Sequence, residues 1–332
     1  MSNMSGKRPD IGARIEQYRR LCGEGDQTAI TEASRKALGD MHYLLVTRAA
    51  ELIGERLLFD LETDLLSAYN RFLDKPAKRD PGCTAKGAIA RALVAVDCQV
   101  ADFYIAGMRY RQPEPVWGGT IDTAVDLRST CAMGLVGTHY PRALIVLVDL
   151  LHDPEPHARS GAARAIPYAE PLGAEAVLRA KALTGDPEPE VTGECFSGLL
   201  RLEPDMSPTF VAGFLDDPDP AIGELAALTL GESRLDAALE ILRERWEQQP
   251  LKRNSDRALL RAAVLHRSEA AFGWLLSVVE QGDRTSAELV LVELAVYRAN
   301  HKLRLQLQAA LDRRRDERLL SCFKDAWNDH PT

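Results

Sequence analysis

The phrase Asp-Pro-acid-Pro occurs three times in the chain: Asp153-Pro154-Glu155-Pro156, Asp186-Pro187-Glu188-Pro189 and Asp217-Pro218-Asp219-Pro220. The copies are spaced by 33 and 31 residues. Self-similarity at such a period marks a stacked array, in which each unit buries its apolar face only against its neighbours. A stretch of helical period follows each copy, at Pro156–Ile166, Pro189–Leu199 and Pro220–Leu230. Counting the first Asp as one, position seven is Arg159, Thr192 or Gly223. Position eleven is Ala163, Phe196 or Ala227, and position fourteen is Ile166, Leu199 or Leu230. Offsets of four and three place these positions on one helix face. A second apolar helix precedes the marker, as in Leu144–Leu151. The expected unit is therefore helix A, a Pro-marked turn and helix B. The second proline is expected in the first turn of helix B, where its missing N–H leaves no bond unmade.

The grammar extends upstream. Asp80-Pro81 is followed six residues on by Lys86, then by Ala90 and Leu93. Gln112-Pro113-Glu114-Pro115 resembles the marker, but Arg128, Ala132 and Leu135 arrive late. The offset there is 16 rather than 6, which implies a ten-residue insertion in the turn, near 112–123. Downstream the marker fades, while helical periodicity persists at 235–247, 255–265, 270–279 and 286–296, with Pro250, Asn254, Gly282 and Asp283 between. Met41–Ile53 and Glu55–Leu73 are expected to form a hairpin broken at Gly54. The organisation expected is a flexible N-terminus at 1–10, an N-terminal helical cap and hairpin at 11–79, repeats at 80–297, and capping helices with a tail at 298–332. That is an all-α fold, a right-handed α-solenoid of about seven helical hairpins.

The run Leu150-Leu151-His152-Asp153-Pro154-Glu155-Pro156-His157-Ala158-Arg159-Ser160-Gly161-Ala162-Ala163-Arg164-Ala165 resembles HEAT repeats. The short period resembles the subclass also seen in phycobilisome lyase subunits. The resemblance implies a ladder in which a turn Asp bonds an Arg six residues later on helix B. Asp153 and Arg159 match that pair, and Asp80 and Lys86 match it loosely. Thr192 and Gly223 depart from it, so the ladder is expected to break in the middle repeats.

The chain carries a net charge of −8, unevenly spread. Residues 144–250 hold 20 acidic and 8 basic side chains, whereas Met1–Arg20 and the cluster Arg313, Arg314, Arg315 and Arg318 are basic. An acidic middle disfavours a nucleic-acid groove along the repeats. Glu188, Glu190, Glu194, Asp216, Asp217, Asp219 and Glu224 read first as helix-start acids and second as a strip for a basic partner. Six scattered cysteines without a C-x-x-C pair, and an N-terminus without an apolar run, suggest a cytoplasmic protein with free thiols. No stretch is long and apolar enough to span a membrane.

The chain has no phosphate loop, dinucleotide fingerprint, zincin or nucleophile-elbow motif. His152, Asp153 and His157 have the wrong spacing for ligands sharing a helix face. No catalytic, cofactor or metal residue is expected. The insertion is the distinctive feature. Phe103, Tyr104, Met108, Arg109, Tyr110, Arg111 and Trp117 crowd it, and Trp, Tyr and Arg are favoured at binding hot spots. Phe103 reads as core. Arg109, Tyr110, Arg111 and Trp117 are candidate contacts, together with Arg128 and Glu194 on the B helices. The function expected is a non-enzymatic scaffold holding another protein along a concave face and at the 110–120 insertion. A phycobilin-lyase-like accessory enzyme or chaperone and a HEAT-type DNA-binding protein are the alternatives.

Overall fold

A computed structural model of the protein describes residues 10–248 and 257–327. The separators Pro250 and Asn254 and both expected frayed termini lie outside the described residues, Asp10 excepted. The chain divides into two units, Met1–Ala174 and Glu175–Thr332.

The first unit begins with α1 (Ile11–Glu24). Four helix pairs follow: α2 (Gln27–Leu38) with α3 (Tyr43–Arg56), α4 (Glu62–Arg71) with α6 (Thr84–Ala95), α7 (Ala101–Arg109) with α8 (Val125–Gly137), and α9 (Ala143–Leu150) with α10 (Pro156–Ala165). The short α5 (Pro76–Arg79) lies in the α4–α6 connection. The second helices stack in order, α3 on α6, α6 on α8 and α8 on α10. α11 (Pro171–Thr184) and α12 (Pro189–Leu202) flank the Asp186 turn. In the second unit α12 stacks on α14 (Pro220–Ser233), then on α16 (Arg257–His266), α18 (Arg284–Glu293) and α20 (Glu317–Trp327). Between them in sequence run α13 (Ser207–Ala212), α15 (Asp236–Gln248), α17 (Glu269–Gln281) and α19 (His301–Arg314), of which α17 and α19 pack on each other. Each unit is thus a two-layered stack of helix pairs.

The marker works as a turn. The carboxylates of Asp153, Asp186 and Asp217 each accept the backbone N–H two residues on, at 2.9 Å. That is the Asx turn, which sets the chain up to enter a helix. Pro156, Pro189 and Pro220 each open helix B. Of the acids before them, only Asp219 caps with its side chain, accepting from Ala221 N at 2.9 Å; the Glu155 and Glu188 side chains make no cap bond. The shorter side chain reaches the amide and the longer one does not. Positions eleven and fourteen of every unit, Ala90, Leu93, Ala132, Leu135, Ala163, Ile166, Phe196, Leu199, Ala227 and Leu230, are buried.

The hairpin expected to break at Gly54 breaks at Leu57 instead. α3 runs through Gly54, whose missing Cβ admits the α6 backbone at Ala92, and ends where Leu57 turns left-handed, at φ 53°. Among the described residues the strands are β1 (Pro113–Val116) and β2 (Gly119–Asp122), an antiparallel hairpin between α7 and α8. No helix among the described residues is long and apolar enough to cross a membrane.

Candidate functional site: a hairpin fixed to two repeat turns

The insertion is this β-hairpin, with Trp117 and Gly118 as its two-residue loop. Gly118 sits at φ +89° with open space around it, a conformation costly for any side-chain-bearing residue. Trp117 at the tip is fully exposed, at 104%, and Val116 and Ile121 are 42% and 51% exposed.

The base of the hairpin is fixed from two sides. Toward the preceding repeat, the Gln112 side-chain amide donates to the Asp80 carbonyl at 2.8 Å. Glu114 Oε1 accepts from Gly82 N at 2.8 Å, Gln112 Nε2 at 2.6 Å and Thr123 Oγ1 at 2.9 Å. Burial pushes the Glu114 carboxyl up, but these donors and the nearby Lys86 charge hold it below its usual value. Behind it, Lys86 and Asp80 form an ion pair of 2.7 Å with both side chains fully buried. Asp80 also accepts from the Ala85 and Lys86 amides, and the Lys86 ammonium lies 5.5 Å from the Tyr110 ring centre.

Toward the following repeat stands Asp122. Its Oδ1 accepts from Gln112 N at 2.9 Å and Ala124 N at 3.0 Å, and its Oδ2 lies 2.5 Å from the Arg128 guanidinium. Burial raises the Asp122 carboxyl, and these amides and Arg128 outweigh it, leaving it below the ordinary range. Arg128 is fully buried. It spans from Asp122 and the Tyr110 carbonyl (3.1 Å) to Asp153 of the next turn, with Nη2 3.1 Å from Oδ1 and Nε 3.0 Å from Oδ2. Arg111 reaches the same Asp153 at 2.5 Å.

These contacts correct the expected register. Asp122, not Gln112, is the turn Asp of this repeat, and it precedes Arg128 by six residues like Asp80 before Lys86. The insertion therefore lies before the turn Asp and leaves the turn-to-helix path intact. Sequence reasoning missed Asp122 because Gln112-Pro113-Glu114-Pro115 imitates the marker; the six-residue spacing back from Arg128 would have found it. Arg128 was expected as an exposed contact and is instead a buried rung, directed forward to the next repeat. Arg159 donates to the carbonyls of Asp153 (2.9 Å) and Pro154 (3.0 Å). In the middle repeats, where Thr192 and Gly223 stand at the rung position, Asp186 is paired with Lys181 of α11 at 2.8 Å.

The remaining candidates are dispersed. Tyr110 is half-buried and its hydroxyl donates to Gln112 Oε1 at 3.0 Å. Arg109 is exposed and, with Arg111, Met108, Val146, Asp149, Leu150 and Asp153, lines a cleft of about 280 Å³. Glu194 is half-buried on α12 in the second unit. Phe103 is core, packed edge-on against Tyr69 and Tyr104. In the acidic segment, Asp216 pairs with Arg245 and Glu224 lies 3.5 Å from Arg261. Arg313 grips Glu280 through two bonds and Arg314 donates to the Val279 carbonyl.

Around the hairpin the carboxylates of Asp80, Glu114, Asp122 and Asp153 are already taken up by amides and cations. Burial pushes the Cys83 thiol up to about 12 and that of Cys131 further, away from nucleophilic use. Among the described residues no group of three or more His, Cys, Asp or Glu is placed to hold a metal. His157 faces Asp126 at 3.2 Å, and His152 bonds the Val148 carbonyl at 3.0 Å.

No family model and no curated protein matches the chain. Among solved structures, the CpcE–CpcF complex of phycocyanin lyase from Nostoc sp. PCC7120 is similar at 16% identity over 88% of this chain and 96% of that one, with a TM-score of 0.34. An engineered protein is similar at 14% identity over 94% of this chain and 99% of that one, with a TM-score of 0.32. Likenesses of this degree decide neither activity nor partner.

Proposed function

We propose that the protein is a scaffold that binds another protein through the β-hairpin at 113–122. The observation that carries this reading is the contrast between the two ends of the hairpin. Its base is tied to the Asp80 and Asp153 turns by buried charge and shared hydrogen bonds. Its tip presents a fully exposed Trp117 beside exposed Val116 and Ile121. Stacking the repeats does not require this element, and exposed apolar side chains gathered at one tip, rather than scattered singly, are what a protein-binding site presents. A rigid mount lowers the entropy lost when a partner docks, and Trp is the residue type most enriched at interface hot spots. Arg111, Tyr110 and Arg109 flank the base and supply a polar rim.

The test is affinity capture from the host with the wild-type chain and with Trp117→Ala. The reading requires a protein retained by the wild type and lost by the variant at unchanged stability. Equal retention by both would remove the hairpin from the interface.

A further inference from the structure

The hairpin has two unlike edges. Gln112 and Thr123 bond across it, with Thr123 N 3.0 Å from Gln112 O. In an antiparallel ladder such pairs alternate with pairs whose backbone groups point outward. With the register Pro113↔Asp122, Glu114↔Ile121, Pro115↔Thr120 and Val116↔Gly119, the outward residues are Pro113 and Pro115 on β1, and Thr120 and Asp122 on β2. Both outward residues of β1 therefore lack an N–H. Prolines at those positions prevent another strand from pairing with that edge. The outer edge of β2 keeps its donors, and Thr120 is exposed. The phrase Gln112-Pro113-Glu114-Pro115, which imitates a helix-entry marker, is a one-sided block on strand pairing.

We infer that the open edge of β2 pairs with β2 of a second copy of this chain. This rests on the reading of the hairpin as a docking element and names its first occupant. In an antiparallel two-fold pairing centred on Thr120, each copy offers the donor and acceptor that the other needs. The result is a four-stranded sheet in the order β1-β2-β2-β1. Its outer edges are the proline strands, so growth stops at two copies. The strip Val116–Ile121 contains no charged residue, so two copies of a chain with net charge −8 meet there without like charges opposed. Ile121 of each copy then lies opposite Gly119 of the other, on the same face as the Val116 that pairs with that glycine from the far side, so the half-exposed apolar side chains of both hairpins share one face of the sheet. A two-stranded hairpin is marginal alone, and four strands are not. The pairing uses backbone groups and leaves the Trp117 side chains free for the other protein, one per copy.

The experiment uses the full chain. Native thiols other than half-buried Cys322 are buried, so Thr120→Cys in a Cys322→Ser background reports on one position. Residues in a hydrogen-bonded antiparallel pair have Cα atoms about 5.5 Å apart, within disulfide range. Mild oxidation is expected to give a covalent dimer far faster than Leu305→Cys, an exposed position in the second unit. Equal rates would overturn the pairing. In sedimentation the wild type is expected to run at twice the monomer mass. Thr120→Pro, which deletes only an outward N–H, is expected to run as a monomer with an unchanged unfolding curve, and Trp117→Ala as a dimer. A wild type that stays monomeric across the concentration series, or a dimeric Thr120→Pro, overturns the proposal. Loss of capture by Trp117→Ala in a monomeric wild type would leave the docking reading standing and the pairing refuted.

Discussion

Arg128 on α8 places its Nε and Nη2 3.0 and 3.1 Å from the Asp153 carboxylate of the next repeat while its Nη1 holds Asp122 of its own. One buried guanidinium thus joins two turns and closes the hairpin base. Removing one partner of a buried charge network leaves the others desolvated without compensation, which costs about 3–5 kcal/mol. Arg128→Met is expected to destabilise the first unit by about that much. Arg111, 41% exposed on the same Asp153, is expected to cost under about 1 kcal/mol when changed to Ala. Chemical denaturation followed by a probe in the first unit compares them. Equal losses would contradict the assignment of Arg128 as the structural rung and Arg111 as the rim.

Much of this architecture is legible in the sequence because its causes are local. An Asp that bonds two residues ahead and a Pro that opens a helix need no distant partner, so Asp153-Pro154-Glu155-Pro156 reads correctly by itself. The inward register at offsets of four and three follows from helix geometry alone. The hairpin was not legible. Its strands are four residues long, half of β1 is proline, and its place is set by contacts to Asp80 and Asp153, 32 and 42 residues from the residues that bond them. The burial of Arg128 was hidden for the same reason. Its partners, Asp122 and Asp153, lie in two different turns, and a basic residue on a B helix reads as exposed until both are found. The extension of α3 past Gly54 was missed because Gly reads as a breaker, whereas here it serves a close approach to Ala92.

The hairpin base is expected to loosen in acid. Glu114 and Asp122 both have carboxyls held below their ordinary values. A group depressed in the folded state contributes stability that is fully present above its unfolded value of about 3.9–4.3 and is lost as pH falls through the folded one. Hydrogen exchange at the Gly82 and Thr123 amides is the readout. Protection should fall in that acidic window before the helices unfold. Protection unchanged down to global unfolding would contradict the role given to Glu114.

The second unit depends on a close approach at Gly231. A Cβ there would meet the Ala262 carbonyl oxygen of α16 at 2.1 Å, and backbone cannot swing aside as a side chain can. Gly231→Ala gains helix propensity but forces α14 and α16 apart, and overpacking of this kind costs about 1–3 kcal/mol. Thermal unfolding should show a net loss. A neutral or stabilised variant would mean that the stack yields there without cost.

Trp117 is the reverse case. Its side chain is 104% exposed, so Trp117→Ala should leave unfolding unchanged within about 0.5 kcal/mol. A larger loss would show that the ring packs on its own protein and would weaken its assignment as a contact.

If the hairpin tip docks a protein partner, position 117 lies in that interface. The most direct measurement places a photo-cross-linking residue at position 117, and as a control at Phe59, which is 58% exposed in the same unit. Irradiation in the host should give a discrete heavier adduct from position 117 and none from position 59. No adduct from 117, or the same adducts from both, would contradict the claim.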